Sequence, residues 1–393
     1  MRGRLAVSLG VLAAVGLVSA GSRGSLGLFI EPWEEAFGAS RGEVSLIASL
    51  GFVFLGIGQP VAGRLLESYA PRRVLLAGLV LGAIGYGGGA FAPNLLTATL
   101  LIGVVAAFGS GLASLSAVSY VAGELVERRQ GIVFGIITAG AAGGQVVVLP
   151  IATAALGISL RASILSVAAV LAVMAVVVLV AVPNVKPAGE RIVGVGAGRL
   201  LRDTRFWLLA VPFFVCGYTS TGLTDTHLIP FALHHGVAEG TASAALTTLA
   251  AFNMAGVLIA GALTDSVDRG RMLATIYAAR AVSVLALPFL TSAEGIFLFA
   301  VAFGLADFAS VPPTTSLARS LFRTGGWALA LGLISGAHQA GSALGAFLGG
   351  WLYDQTGTYT YSFTSAAAAL LVASALSFAL RERSGLRTLP VEA

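Results

Sequence analysis

The sequence predicts an all-α polytopic membrane protein, with twelve transmembrane helices in two pseudo-symmetric six-helix bundles. Three observations predict it. With 57% hydrophobic and 10% charged residues and a mean hydropathy of +0.92, the chain has too little polar surface to cover a water-soluble globule of 393 residues. Apolar stretches of roughly 20 residues, the length that crosses a bilayer as a helix, recur from end to end. A charged hairpin, Gly63 to Arg73 (GRLLESYAPRR), returns as Gly261 to Arg271 (GALTDSVDRGR), which marks an internal duplication. Each copy places an acid four residues after its glycine, Glu67 or Asp265, and then a basic cluster, Arg72 with Arg73 or Arg269 with Arg271. The apolar runs are too long and alternate too little for barrel strands. A spanning helix, in contrast, satisfies its own backbone hydrogen bonds.

Helix 1 is expected at about 5–30, where Arg2 and Arg4, an apolar run and Val18, Ser19 and Ala20 imitate a cleavable signal peptide. Retention is expected, because removal would leave an odd number of spans and the apolar character continues from Leu26 to Ile30. Helix 2 (43–66) runs into the first hairpin and helix 3 (73–92) leaves it; helices 4 (95–122), 5 (131–156) and 6 (161–183) complete the first half. The stretch 184–205 (NVKPAGERIVGVGAGRLLRDTR) is the one long polar connection and reads as the linker. Helices 7 (206–233), 8 (242–264), 9 (271–291), 10 (295–318), 11 (327–352) and 12 (360–380) repeat the pattern, giving bundles 1–183 and 206–393. Glycines crowd helices 5 and 11, as at Gly140, Gly143 and Gly144 or Gly341, Gly345 and Gly349, where small residues let helix backbones approach.

Basic residues set the orientation. Of the 23 Lys and Arg, 19 fall on the side that holds both termini and both hairpins, and only Arg41 and Arg161 fall on the other, so the termini are expected in the cytoplasm. The net charge of +5 is spread over these loops, not gathered in a stripe, and implies no nucleic-acid partner. Cys216 is the single cysteine, which excludes an intrachain disulfide and a cysteine-based metal cluster. No phosphate-cradling loop, His/Cys metal spacing or nucleophile-and-base arrangement is present, so neither an enzyme nor an ATP-driven pump has residues to rest on, and no metal or cofactor is expected.

The two hairpins resemble the G-x-L-x-D-x-x-x-R-x-R/K signature of the major facilitator superfamily, with Glu67 in place of Asp in the first copy. Further matches are Arg129, Gln130 and Gly131 opening helix 5, with Gly135, Gly140, Gly144 and Pro150 along it; His227 to Pro230; Phe303 and Gly304; His338 and Gln339; and Asp354 to Tyr359. Together these are similar to the monocarboxylate and oxalate/formate branch. The resemblance implies two bundles around a central cavity lined mainly by helices 1, 2, 4, 5, 7, 8, 10 and 11, with alternating access by rocking. It also implies a conformational switch at the hairpins, carried by Gly63, Glu67, Arg72, Arg73, Asp265 and Arg269. One departure stands out. Animal monocarboxylate carriers place an Asp and, four residues on, an Arg in helix 8, whereas this chain has Asn253 and Val257 there.

Ionisable groups at bilayer depth are costly enough to need a partner or a water-filled cavity. Arg23, roughly 27 Å up helix 1, sits among Gly21, Ser22, Gly24 and Ser25, which leave room for an anion. The alternative is a structural Arg bonded to helix carbonyls or snorkelling outward. Arg280 in helix 9 and Asp307 in helix 10 match in depth and are expected to pair, either as a structural ion pair or as a coupling network. His338 and Asn253 fall near the midplane as substrate contacts, with His338 the proton-linked candidate. Gln145 is a further substrate-contact candidate that could equally be helix glue, and Asp225 with His227 reads as a solvated helix end or an outer gate.

The expected function is secondary transport of a small organic anion, a monocarboxylate, with protons as candidate coupling ions. It would work as a monomer in a bilayer, with a bacterial inner membrane the expected location. An exporter of hydrophobic or cationic compounds is the alternative on the same fold. A non-transporting membrane receptor is a third reading.

Overall fold

A computed structural model of the protein describes residues 2–126, 129–182, 196–323 and 326–380. The linker residues 184–195, the tail from 381 and the side chain of Gln145 lie outside the described ones. Among the described residues every regular element is helical. Helix 1 occupies 2–37, helix 2 Arg41–Ser68, helix 3 Pro71–Gly89, helix 4 95–125, helix 5 130–156 and helix 6 Leu160–Ala181. After a short turn at Ala197–Leu201 come helix 7 (204–234), helix 8 (Glu239–Thr264), helix 9 (Arg269–Ala286), helix 10 (293–322), helix 11 (Trp327–Thr356) and helix 12 (Thr360–Ala379). Ten of these are long and apolar enough to cross a membrane. The other two, helices 3 and 11, are of spanning length but diluted, helix 3 by Arg72 and Arg73 and helix 11 by His338, Gln339 and glycines. Exposed Leu, Val, Ile and Phe side chains such as Val180, Val282, Phe289 and Phe378 form an apolar outer surface that suits lipid.

Local chemistry explains where the helices start. Ser40 and Glu43 form a reciprocal capping box on helix 2. Asn94, Ser159, Asp268 and Ser292 each accept from a backbone N–H three residues on, at the starts of helices 4, 6, 9 and 10. Asp203 caps helix 7, and its hydrogen bonds to the Arg205 side chain hold the Asp203 carboxyl below the usual carboxylate range. Pro71 opens helix 3, where its missing N–H costs nothing.

Five helices differ from uninterrupted spans: helix 4 has π turns at Thr99–Ala106 and a break at 113–114, helix 5 is broken at Gly143, and helices 1, 7 and 10 are irregular near the site. Helix 1 does not stop near residue 30; it tightens into a 3₁₀ turn at Ser25–Phe29 and continues to Phe37. Helix 7 widens into π-helical turns at Tyr218–Thr224, between Pro212 and Pro230. Helix 10 breaks at Asp307–Ser310, just before Pro312 and Pro313, which have no N–H to give the preceding turn.

The two bundles meet mainly at the end that carries the hairpins. Helix 2 packs on helix 11 and helix 5 on helix 8, through glycines: Gly56 against Gln339, Gly63 against Ala328, and Gly131 and Gly135 against Gly261. At the opposite end, segments 25–37, 95–112, 144–156 and 225–234 pack within their own half. The structure is thus a cleft, closed at the hairpin end and open at the other.

Candidate functional site

The open end holds a cavity of ≈ 230 Å³ in the first half, bounded by helices 1 to 4. Its wall is apolar: Ile30, Trp33, Phe52, Leu55 and Ile102 contribute, and Arg23 supplies the one charged group among the lining residues. The neighbouring hydroxyl of Tyr86 donates to the Ser22 carbonyl at 2.7 Å, so that helix carbonyl is already taken. Arg23 itself makes no hydrogen bond or ion pair among the described residues. No helix carbonyl among the described residues takes up the guanidinium.

In the second half a buried network forms where the breaks of helices 7 and 10 face each other. Arg280 and Asp307 are fully buried and lie 3.3 Å apart, the pairing their matched depth suggested. Arg280 also donates to Thr219 and Ser220 hydroxyls at 2.6 Å each, to the Cys216 sulfur at 3.1 Å and to the Asp307 carbonyl at 3.3 Å. Ser220 donates to the Asp307 carboxylate on a very short contact. Asn253 donates to Asp307 at 3.2 Å and accepts from the Phe308 N–H at 2.9 Å. Backbone groups freed by the helix breaks are thus re-satisfied by side chains, as a low-dielectric interior requires. Both ends of the Asn253 carboxamide are occupied in this arrangement. His338 packs its ring 4.9 Å from Phe213 and lies against Gly217, next to Cys216, which puts it on the edge of the same network. His227 is turned away, 2.9 Å from the Ala346 carbonyl on helix 11.

The hairpin acids cross between halves, while Arg72 and Arg269 reach partners within their own. Glu67 accepts from the Leu329 N–H at 3.3 Å, in the first turn of helix 11. Asp265 accepts from the Gly131 and Ile132 N–H groups at 2.9 and 3.3 Å, in the first turn of helix 5. Each acid sits on the positive end of a helix from the other bundle. Gly63 lies against Ala328 and Leu329, where a Cβ would collide with backbone. The basic residues bind at home: Arg64 pairs with Glu67 at 3.1 Å, Arg72 reaches the Leu179 carbonyl at the end of helix 6, Arg269 reaches Ser316 on helix 10, and Arg73 is exposed. Among the described residues Arg72 and Arg73 make no hydrogen bond or ion pair to the other half. Arg72 reaches back along its own bundle from the far side of the turn.

Cys216, Thr219 and Ser220 are the members of the buried network that the sequence reading passed over. Their signal was present as the polar run from Cys216 to Asp225 inside an otherwise apolar helix. Among the described residues no group of His, Cys, Asp and Glu is placed to hold a metal ion.

Comparison with known proteins places these features. The chain is 27% identical over 363 residues to monocarboxylate transporter 13 of Bos taurus, covering 91% of this chain and 84% of that one. It is 27% identical to human (Homo sapiens) monocarboxylate transporter 11 (92% and 79% covered) and 26% identical to the MFS-type transporter YcxA of Bacillus subtilis (strain 168; 86% and 85%). Among solved structures it superposes on the fucose:proton symporter FucP of E. coli with a TM-score of 0.76 at 15% identity, covering 95% of this chain and 98% of that one. On the proton:xylose symporter XylE it gives 0.78 at 12% identity, with 96% of each chain covered. The sequence profile of the Major Facilitator Superfamily matches residues 12–297 and again 215–392. Duplicated hairpins, twelve helices in two bundles and a profile spanning nearly the whole chain agree, and the chain belongs to the major facilitator superfamily, a membrane transporter and not an enzyme.

Proposed function

We propose that this transporter carries a small monocarboxylate with an apolar body, as a monomer, by alternating access. The observation that carries the reading is Arg23, a guanidinium with no acidic partner at the edge of an apolar cavity. A guanidinium holds a carboxylate through two parallel charge-assisted hydrogen bonds, and the apolar wall of Trp33, Phe52 and Leu55 suits the rest of such a molecule. Relatives named monocarboxylate transporters support the anion class. In this reading the hairpin end is cytoplasmic, by its excess of basic residues, and the cleft opens outward. An ion or substrate gradient drives transport.

Purified protein in proteoliposomes is tested with radiolabelled L-lactate, 4-methyl-2-oxopentanoate and phenylacetate. The two acids with larger apolar bodies are expected to bind more tightly than lactate. Arg23→Lys weakens binding roughly ten- to a hundredfold, because one bidentate charge-assisted contact is worth about 1.5–3 kcal/mol. Arg23→Gln abolishes it with the melting temperature unchanged. A well-folded Arg23→Gln that keeps full affinity overturns the proposal, and one that exports organic cations as well or better turns it toward the exporter reading.

A further inference from the structure

Helix 7 carries a membrane acid that the buried network does not consume. Asp225 follows directly on the π turns, and although Thr224 and His227 beside it are buried, Asp225 is exposed. Asp225 opens the segment 225–234 at the open end of the molecule, exposed yet near enough to the buried pair for both of its charges to act on it. Asp225 makes no hydrogen bond or ion pair among the described residues. The charges acting on it from neighbouring elements are Asp307 on helix 10 and Arg280 on helix 9. These two already satisfy each other. On helix 11, His338 faces Asp307 and Cys216; Asn253 on helix 8 is neutral; and on its own helix His227 is engaged with Ala346.

Asp225 also has a counterpart. Helix 1 starts at Arg2 and helix 7 at Thr204, so Arg23 and Asp225 each lie about 21 residues, roughly 31 Å, along equivalent helices of the duplicated halves. Each stands beside the irregular turn of its helix, the 3₁₀ turn at Ser25–Phe29 and the π turns at Tyr218–Thr224. The pseudo-symmetry therefore sets one unpaired cation and one unpaired anion at matched depth, one in each half. The empty carrier is balanced. Binding a carboxylate at Arg23 alone leaves a net negative charge, and neutralising Asp225 alone leaves a net positive one. Either is costly once the cleft closes and water leaves. Carboxylate and proton together restore balance.

We infer that Asp225 is the group that takes up a proton from the open side when Arg23 binds the carboxylate, so that anion and proton cross together, one of each, with no net charge moved. The proton adds to the Asp225 carboxylate and leaves it on the other side; no bond of the substrate changes. This rests on the carboxylate reading of Arg23, but the site is distinct from that cavity, and it gives the carrier a proton acceptor where helix 8 has none.

Two measurements test it. In proteoliposomes loaded with a pH-sensitive dye, 4-methyl-2-oxopentanoate uptake should acidify the lumen in the wild type. Asp225→Asn should lose that signal, and the dependence of uptake on external pH, while keeping substrate counterflow; Asp225→Glu should retain both. Separately, and with no substrate present, infrared difference spectra across a pH titration should show a protonated-carboxyl band that Asp225→Asn deletes and Asp225→Glu moves. An unchanged band in Asp225→Asn, or proton movement equal to wild type, overturns the proposal. If the band behaves as expected while none of the three carboxylates binds to wild type, it is the substrate reading that fails and Asp225 stands as a proton site.

Discussion

Arg280 has to satisfy a guanidinium in a place with no water. It nearly does so by standing between two broken helices, where its two terminal nitrogens take the Cys216 and Asp307 carbonyls, the Thr219 and Ser220 hydroxyls and the Asp307 carboxylate, and its Nε is left without a hydrogen bond among the described residues. A buried pair of this kind gains little over an apolar replacement of both partners, because the desolvation of two ions offsets their attraction. Losing one partner is different, since it strands the other. Arg280→Gln and Asp307→Asn are each expected to cost about 3–5 kcal/mol, and the double substitution to recover part of the loss. Thermal denaturation of the four proteins in detergent measures the coupling; strictly additive losses would show that the two do not act as a pair. The thiol of Cys216 is fully buried under the same guanidinium, so maleimide should label it only after this network opens.

At the scale of the helix, close approach at the hairpin end depends on the absence of a side chain. Gly63 packs so tightly on the start of helix 11 that a Cβ would lie within 2.8 Å of the Leu329 Cα, and Gly131 is as close to Thr264 at the equivalent contact of helices 5 and 8. Neither neighbour is a flexible side-chain tip. Gly63→Ala must therefore push helix 2 from helix 11, lengthening or breaking the bond between Glu67 and the Leu329 N–H. The variant is expected to fold, since the rest of helix 2 still packs on helix 4, but to spend less time closed at this end. Spin labels at Ser68→Cys and Ser266→Cys, on a Cys216→Ser background, should report a longer or broader distance; an unchanged distribution would show that the contact is not limiting.

The whole molecule is a clamp built twice. The acid of each hairpin holds the N-terminus of a helix from the opposite half, Glu67 on helix 11 and Asp265 on helix 5, so the duplication yields two symmetric latches. Charge at a helix N-terminus contributes about 1 kcal/mol, or roughly a fivefold change in the closed-to-open ratio per latch. Glu67→Gln and Asp265→Asn should each shift the same spin-label distances modestly, and together do so additively, with carboxylate affinity within a few fold of wild type. Turnover and distances unchanged in the double variant would count against the latches.

Composition and repeats determined the architecture without help. Spanning helices follow from apolar length, because a bilayer leaves backbone groups no other partner, and the two bundles follow from the echo of Gly63–Arg73 in Gly261–Arg271. The pairing of Arg280 with Asp307 was legible too, since a fixed rise per residue turns position into depth. What depth cannot give is azimuth and local helix geometry. The π turns of helix 7 bring Cys216, Thr219 and Ser220 onto Arg280 and leave Asp225 exposed, and no periodicity of 3.6 anticipates that rotation. Nor could the sequence say which hairpin residues cross between halves. That depends on where the tip of each side chain lands, and only the packed bundles decided that the acids reach over while Arg72 folds back onto helix 6.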